Sequence, residues 1–125
     1  MKILLDSHAV VWWLSEPERL TAEARAAIAD PRNDVFVSAA SVWELGLKMA
    51  KGKLVLPSGY DLALWSGGIE ELCVNTKHAK VSLDLPPLHF DPFDRLLIAQ
   101  AISEGMMLMT RDRLIHRYQA PLLGC

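Results

Sequence analysis

The sequence predicts an α/β fold, a three-layer α/β/α domain around a mostly parallel central sheet. Three observations predict it. Ile3-Leu4-Leu5, Val35-Phe36-Val37 and Met106-Met107-Leu108-Met109 are short unbroken apolar runs, the pattern of strands buried on both faces. Segments of helical pattern separate them, as crossover connections between parallel strands require. Asp6 and Asp112 then follow the carboxyl ends of the first and last runs, the edge where open parallel sheets place their crevice.

Each element follows from local chemistry. Residues 7–14 read as a helix closed by Glu16-Pro17, and Thr21 as the N-cap of the Ala-rich helix 22–29, stopped by Asp30-Pro31. Ser38 or Ser41 opens a helix carrying Val42, Trp43, Glu44, Leu45, Leu47, Lys48 and Met49 to about Gly52. Pro57-Ser58-Gly59 is a breaker; residues 60–72 read as helical despite Gly67-Gly68, Cys73-Val74 as a short strand, and Thr76 as the cap of a helix ending before Leu85-Pro86-Pro87. Pro92 suits the first position of the next helix and makes Asp91 its N-cap, with Asp94 in the first turn, Leu97, Ile98, Ala101 and Ile102 as the buried face, and Gly105 as the stop.

The 125 residues are 51% hydrophobic and 22% charged, which is enough apolar material for one compact domain over 1–125. No linker, repeat or low-complexity stretch divides them. The net charge of −2 gives no global attraction for polyanions, so nucleic-acid binding would need a local basic patch or a metal. Lys48, Lys51 and Lys53 form one basic run and Arg111, Arg113, His116 and Arg117 another; a solvated face explains such runs as readily. Cys73 and Cys125 have neither metal-ligand spacing nor the number for a disulfide framework. With no signal sequence or long apolar segment, a cytoplasmic protein is expected.

The acids carry the chemistry. Asp6, Asp112, Asp94 and Glu44 are delivered by separate segments toward one predicted sheet edge. Four carboxylates in one crevice repel one another unless a cation neutralises them. Mg²⁺ is the expected ion, with Mn²⁺ as the alternative, because hard cations take oxygen ligands and His8, His78 and His89 lack ligand spacing. Such a site would suit in-line attack of a metal-activated water on a phosphodiester. Every acid also has a local structural reading. Asp6 could cap the following helix, Ser41-Val42-Trp43-Glu44 matches a capping box, Asp94 suits the helix dipole, and Asp112 could be a solvated turn acid between arginines.

Leu4-Leu5-Asp6-Ser7-His8, Val42-Trp43-Glu44-Leu45, the run from His89 to Ala101, and Leu108-Met109-Thr110-Arg111-Asp112 together resemble a PIN-domain protein, specifically the VapC-type toxins of type II toxin–antitoxin systems. The resemblance spans almost the whole chain. It implies a Mg²⁺-dependent endoribonuclease whose acidic quartet, catalytic and metal-binding, is Asp6, Glu44, Asp94 and Asp112, with Asp6 and Asp94 the surest ligands. Thr110 matches the family's hydroxyl beside the last acid, and Asp91 falls outside the quartet. Ser7 is expected to support the site by a hydrogen bond. Arg95 and Arg111 are candidate RNA contacts, although Arg95 serves equally as a salt-bridge partner of Asp91 or Asp94.

The resemblance further implies a homodimer held inactive by a VapB-type antitoxin lying across the groove beside the acids. Four tryptophans, Trp12, Trp13, Trp43 and Trp65, are many for one small core. Core packing is expected for Trp43, whereas one of the adjacent Trp12 and Trp13 must face away and could help form that groove. Two other classes compete: a non-catalytic PIN-fold binding module (or a solitary chromosomal nuclease), and a phosphoacceptor domain. The last lacks the paired acids after an early strand and a dedicated lysine.

Overall fold

In a computed structural model of the chain, residues 1–88, 91–112 and 122–124 are described. His89, Arg113, His116, Arg117 and Cys125 lie outside them. The order is β1 (Lys2–Leu5), α1 (Ser7–Ser15), a 3₁₀ turn (Pro17–Arg19), α2 (Ala22–Ala29), β2 (Asp34–Ser38), α3 (Ala39–Ala50), α4 (Tyr60–Ser66), β3 (Glu70–Leu72), α5 (Thr76–Asp84), α6 (Pro92–Glu104), β4 (Met107–Thr110) and β5 (Leu122–Gly124). The five strands form one sheet in the order β3-β2-β1-β4-β5, and every pairing is parallel.

Strand side chains alternate between faces, and that alternation builds two cores. Ile3, Leu5, Val35, Val37 and Met109 point to one face and pack with Ala9 and Val10 of α1, Ala24 and Ile28 of α2, Leu45 of α3 and Leu64 of α4. Leu4, Leu72 and Leu108 point to the other, against Leu97, Ile98 and Ala101 of α6. Helix α5 packs on α6, completing the second helical layer. β1 therefore lies at the centre of the molecule, fully buried from Ile3 to Leu5. Whatever follows it emerges at the middle of the sheet's carboxyl edge.

Several local expectations hold. Thr21 caps α2, accepting from the Ala24 amide at 3.1 Å. Asp91 caps α6 through the Phe93 and Asp94 amides at 2.8 and 3.3 Å, Pro92 occupies the first turn, and Gly105 ends the helix in the left-handed region at φ 65°.

Others are corrected. Of the two caps open for α3 the structure uses Ser38, because β2 runs straight into the helix and the Ser38 hydroxyl is in reach of the Ala40 amide at 3.1 Å. α4 stops at Ser66: Gly67-Gly68, the latter at φ 92°, turns the chain so that residues 70–72, not Cys73-Val74, form the strand beside β2. Asn75 rather than Thr76 caps α5, in a reciprocal box with His78. Ile102 is 41% exposed, since α6 buries 97–101 between the sheet and α5. β5, only three residues long, had no recognisable pattern.

Candidate active site

Asp6 is the residue immediately after β1. Its amide donates to the Met109 carbonyl at 3.1 Å, extending the β1–β4 ladder by one step and setting Asp6 level with Thr110. Asp6 is also the N-cap of α1, accepting from the Ala9 amide at 2.8 Å. The cap and site readings of this residue are compatible, because the cap occupies one oxygen, Oδ1. Thr110, wholly buried, hydrogen-bonds the Asp6 carboxylate and accepts the Asp112 amide at 3.1 Å. One hydroxyl thus ties the acid after β1 to the acid after β4.

Glu44 reaches the same edge from α3. It lies in the second turn of α3 and is 7% exposed. Since Ser38 starts the helix, the capping-box reading of Ser41 and Glu44 fails. Glu44 instead accepts the Ser7 hydroxyl at Oε1, 2.8 Å, and meets the Lys48 ammonium at Oε2, 3.2 Å. Ser7 and Glu44 are 37 residues apart in sequence, so this buried bond joins α1 to α3 across the edge. Lys48 is a partner that sequence reasoning left in a solvated basic run; the Glu44–Lys48 spacing of four on one helix was the available signal. Ser41, one turn before Glu44, keeps its hydroxyl buried without a hydrogen-bond partner among the described residues.

Electrostatics follows from burial. Asp6 is 3% exposed, and desolvation pushes its carboxyl above the ordinary value of 3.8; the Glu44 carboxylate adds to the rise, while the Ala9 amide, the Thr110 hydroxyl and His8 oppose it. The edge therefore holds a buried acid with a second acid beside it. Asp94 sits half-buried in the first turn of α6, and Asp112 is half-buried past β4. Among the described residues no three of His, Cys, Asp and Glu form a ready-made metal cage. The donors that do converge, Asp6, Glu44, Ser7 and Thr110, are all oxygens, the chemistry that hard divalent cations take.

Arg95 and Arg111 both have structural partners. Arg95, considered for RNA or an acid partner, donates to the Ser82, Leu85 and Pro86 carbonyls at 2.8–2.9 Å, which ends α5 and fixes it to α6. Arg111 lies over the Trp12 ring, 4.3 Å from its centroid, and donates to the Arg19 carbonyl; Arg19 also approaches Trp12 at 5.5 Å.

The tryptophans also depart from expectation. Trp12 and Trp13 are both half-buried against the first core, and neither is thrown outward. Trp43 is instead 65% exposed, because Val42, Leu45 and Met49 form the inner side of α3. Its ring stands edge-on to Phe93 at 5.2 Å, a contact that joins α3 to the head of α6. No helix among the described residues is long and apolar enough to cross a membrane.

An all-parallel sheet with acids gathered at the carboxyl end of its central strand is the arrangement of a defined family. The chain belongs to the PIN domain family, whose model matches residues 3–121. It is 33% identical to Ribonuclease VapC22 of Mycobacterium tuberculosis over 125 residues, covering 96% of this chain and 95% of that protein. Its fold is similar to that in the crystal structure of VapBC2 from Rickettsia felis bound to a promoter DNA fragment, with a TM-score of 0.74 and 16% identity over 100% of this chain and 99% of the other. The DNA-bound VapBC from Salmonella typhimurium is a further neighbour, with a TM-score of 0.68 and 19% identity over 99% and 98%.

Proposed function

We propose that this protein is a divalent-metal-dependent endoribonuclease, the toxin of a VapB–VapC type pair. The observation that carries the reading is the convergence of two buried carboxylates, Asp6 and Glu44, at the carboxyl edge, in a chain 33% identical to a ribonuclease over nearly its whole length. A buried acid pair with one lysine as its ion-pair partner among the described residues is costly, and a hard cation offsets that cost. Asp6, Glu44, Asp94 and Asp112 would hold Mg²⁺ or Mn²⁺, which supplies charge neutralisation at the phosphate and lowers the pKa of water.

The chain's own groups then have definite tasks. Thr110 and the Ala9 amide fix the Asp6 carboxylate, and Ser7 and Lys48 fix that of Glu44. The Asp91 cap fixes the backbone of Phe93 and Asp94 at the first turn of α6. In hydrolysis, the oxygen of water bonds to phosphorus, one ester P–O bond breaks, and the leaving ribose oxygen takes up a proton. A VapB-type antitoxin as partner, supported by the VapBC complexes among the fold's neighbours, and a homodimer as the working form belong to the same proposal.

The test is cleavage of a mixed single-stranded and structured RNA pool by purified protein with Mg²⁺, with EDTA, and by Asp94→Asn. Cuts that need Mg²⁺ and vanish in the variant are expected. Metal-independent cutting, or equal cutting by a folded Asp94→Asn protein, contradicts the assignment; no cutting by the antitoxin-free wild type would favour a non-catalytic binding module.

A further inference from the structure

Two cations meet on one ring where the chain leaves β4. The Arg111 guanidinium lies 4.3 Å from the centre of the Trp12 indole and that of Arg19 5.5 Å, and Arg111 also donates to the Arg19 carbonyl. Like charges brought together repel. The ring attracts both, and Glu16, paired with Arg19 at 3.0 Å, offsets part of the repulsion. What these contacts hold is the segment that carries Asp112. The pairing of β4 with β5 runs as far as Thr110, opposite Gly124, and on its other side the Met109 carbonyl receives the Asp6 amide. Arg111 is the first residue beyond the strand. Strand alternation sends it after Met109 to the face that α1 covers, whereas Thr110 hydrogen-bonds Asp6 and accepts the Asp112 amide. Arg111 is thus tethered to α1 between Thr110, which binds one acid, and Asp112, which is another.

We propose that the Arg111–Trp12 stack is a clamp that positions Asp112 for the cation. Arg111 and Trp12 are then positioning residues, and the clamp presupposes that Asp112 is a cation ligand, as proposed above. A carboxylate two residues past the end of a strand gives up backbone freedom when it takes an ion, and a segment already fixed gives up less. Arginine suits the task. Its flat guanidinium stacks on a ring while its edge donates to a carbonyl, a combination that a lysine ammonium does not reproduce. Partners that orient a metal ligand set affinity for the ion even though they never touch it.

The experiment titrates the whole chain with Mn²⁺, following the free ion by its paramagnetic resonance signal, and records urea unfolding of each protein. The proteins are wild type, Arg111→Met, Arg111→Lys, Trp12→Phe, Asp112→Asn and the double variant Arg111→Met/Asp112→Asn. Arg111→Met is expected to weaken Mn²⁺ binding about tenfold. Trp12→Phe keeps a ring under the guanidinium and most of the wild-type affinity, and Arg111→Lys falls between. With Asp112→Asn already present, Arg111→Met should weaken binding no further, as a residue acting through Asp112 requires. Should Arg111→Met not fold, Arg111→Lys in the same pair of backgrounds decides the question. If wild type binds no Mn²⁺, the cation site and the clamp both fall. If Asp112→Asn binds as wild type does, Asp112 is no ligand and the clamp is overturned while a site at Asp6 and Glu44 stands. If Arg111→Met weakens binding equally in both backgrounds, it acts through the fold at large and the clamp is wrong. If it leaves Mn²⁺ affinity unchanged and raises only KM for RNA, Arg111 is a phosphate contact, and the clamp is overturned while the ribonuclease reading stands.

Discussion

The two ends of the sheet both carry acids, and they treat them oppositely. At the amino end, Asp30, Asp34 and Glu70 line a cleft of about 340 Å³ where β2 and β3 begin. Asp30 is held down to about 2 by hydrogen bonds from the Arg32 guanidinium and amide, with Nη2–Oδ2 at 2.8 Å. At the carboxyl end, Asp6 is buried beside Glu44 and pushed above its ordinary value. The amino-end cleft is larger than the one beside Glu44, yet its acids are solvated or locally satisfied. Cavity size does not mark the chemistry here. The mark is a carboxylate kept out of water at a cost, with hydroxyls from other elements aimed at it.

This contrast can be broken by substitution. The largest effect is expected at Glu44 and Asp6: Glu44→Gln and Asp6→Asn each abolish Mg²⁺-dependent RNA cleavage in a protein that still shows a cooperative melt, whereas Asp30→Asn cleaves as wild type. Next comes Thr110→Val, which removes a buried hydroxyl serving both Asp6 and the Asp112 amide. It should lower activity about 10- to 100-fold and stability by about 1–3 kcal/mol, read from kinetics and urea unfolding.

A smaller effect is the pH dependence of the metal-free protein. Because the folded pKa of Asp6 lies above 3.8, the native state holds a proton there that the unfolded chain has released. Stability contributed by this group is present at or below 3.8 and declines as pH rises through the folded value. Melting temperatures in EDTA should fall over that range for wild type and fall less for Asp6→Asn, in which the asparagine can still cap α1. The smallest effect belongs to Asp30→Asn, whose exposed pair with Arg32 is screened by solvent; its melting temperature near neutral pH should equal that of wild type.

Much of this was legible where a residue's role is local. Asp91-Pro92 announced the start of α6 and Gly105 its end, because a missing amide and a left-handed backbone are properties of single residues. The convergence of Asp6, Glu44 and Thr110 could be anticipated from acids after buried strands, since topology alone carries such residues to one edge. What stayed open or failed depended on neighbours distant in sequence. Ser38 and Ser41 are equally good caps, and only the end of β2 decides between them. Gly67-Gly68 interrupts a helical pattern that residues 60–72 otherwise support, and β3 forms there because β2 offers a partner. Core packing was expected of Trp43, but the inner side of α3 is filled by Val42, Leu45 and Met49. Arg95 reaches carbonyls at the end of α5, contacts that no pattern near it in sequence announces.

Everything proposed for the carboxyl edge depends on its buried acids holding a cation. The most direct test is the melting temperature at neutral pH with Mg²⁺ and with EDTA, for wild type, Asp6→Asn and Asp30→Asn. A ligand bound only by the native state raises the melting temperature. Wild type and Asp30→Asn should be stabilised by Mg²⁺ and Asp6→Asn should not. Equal melting of wild type with and without the ion, or equal stabilisation of Asp6→Asn, would contradict it.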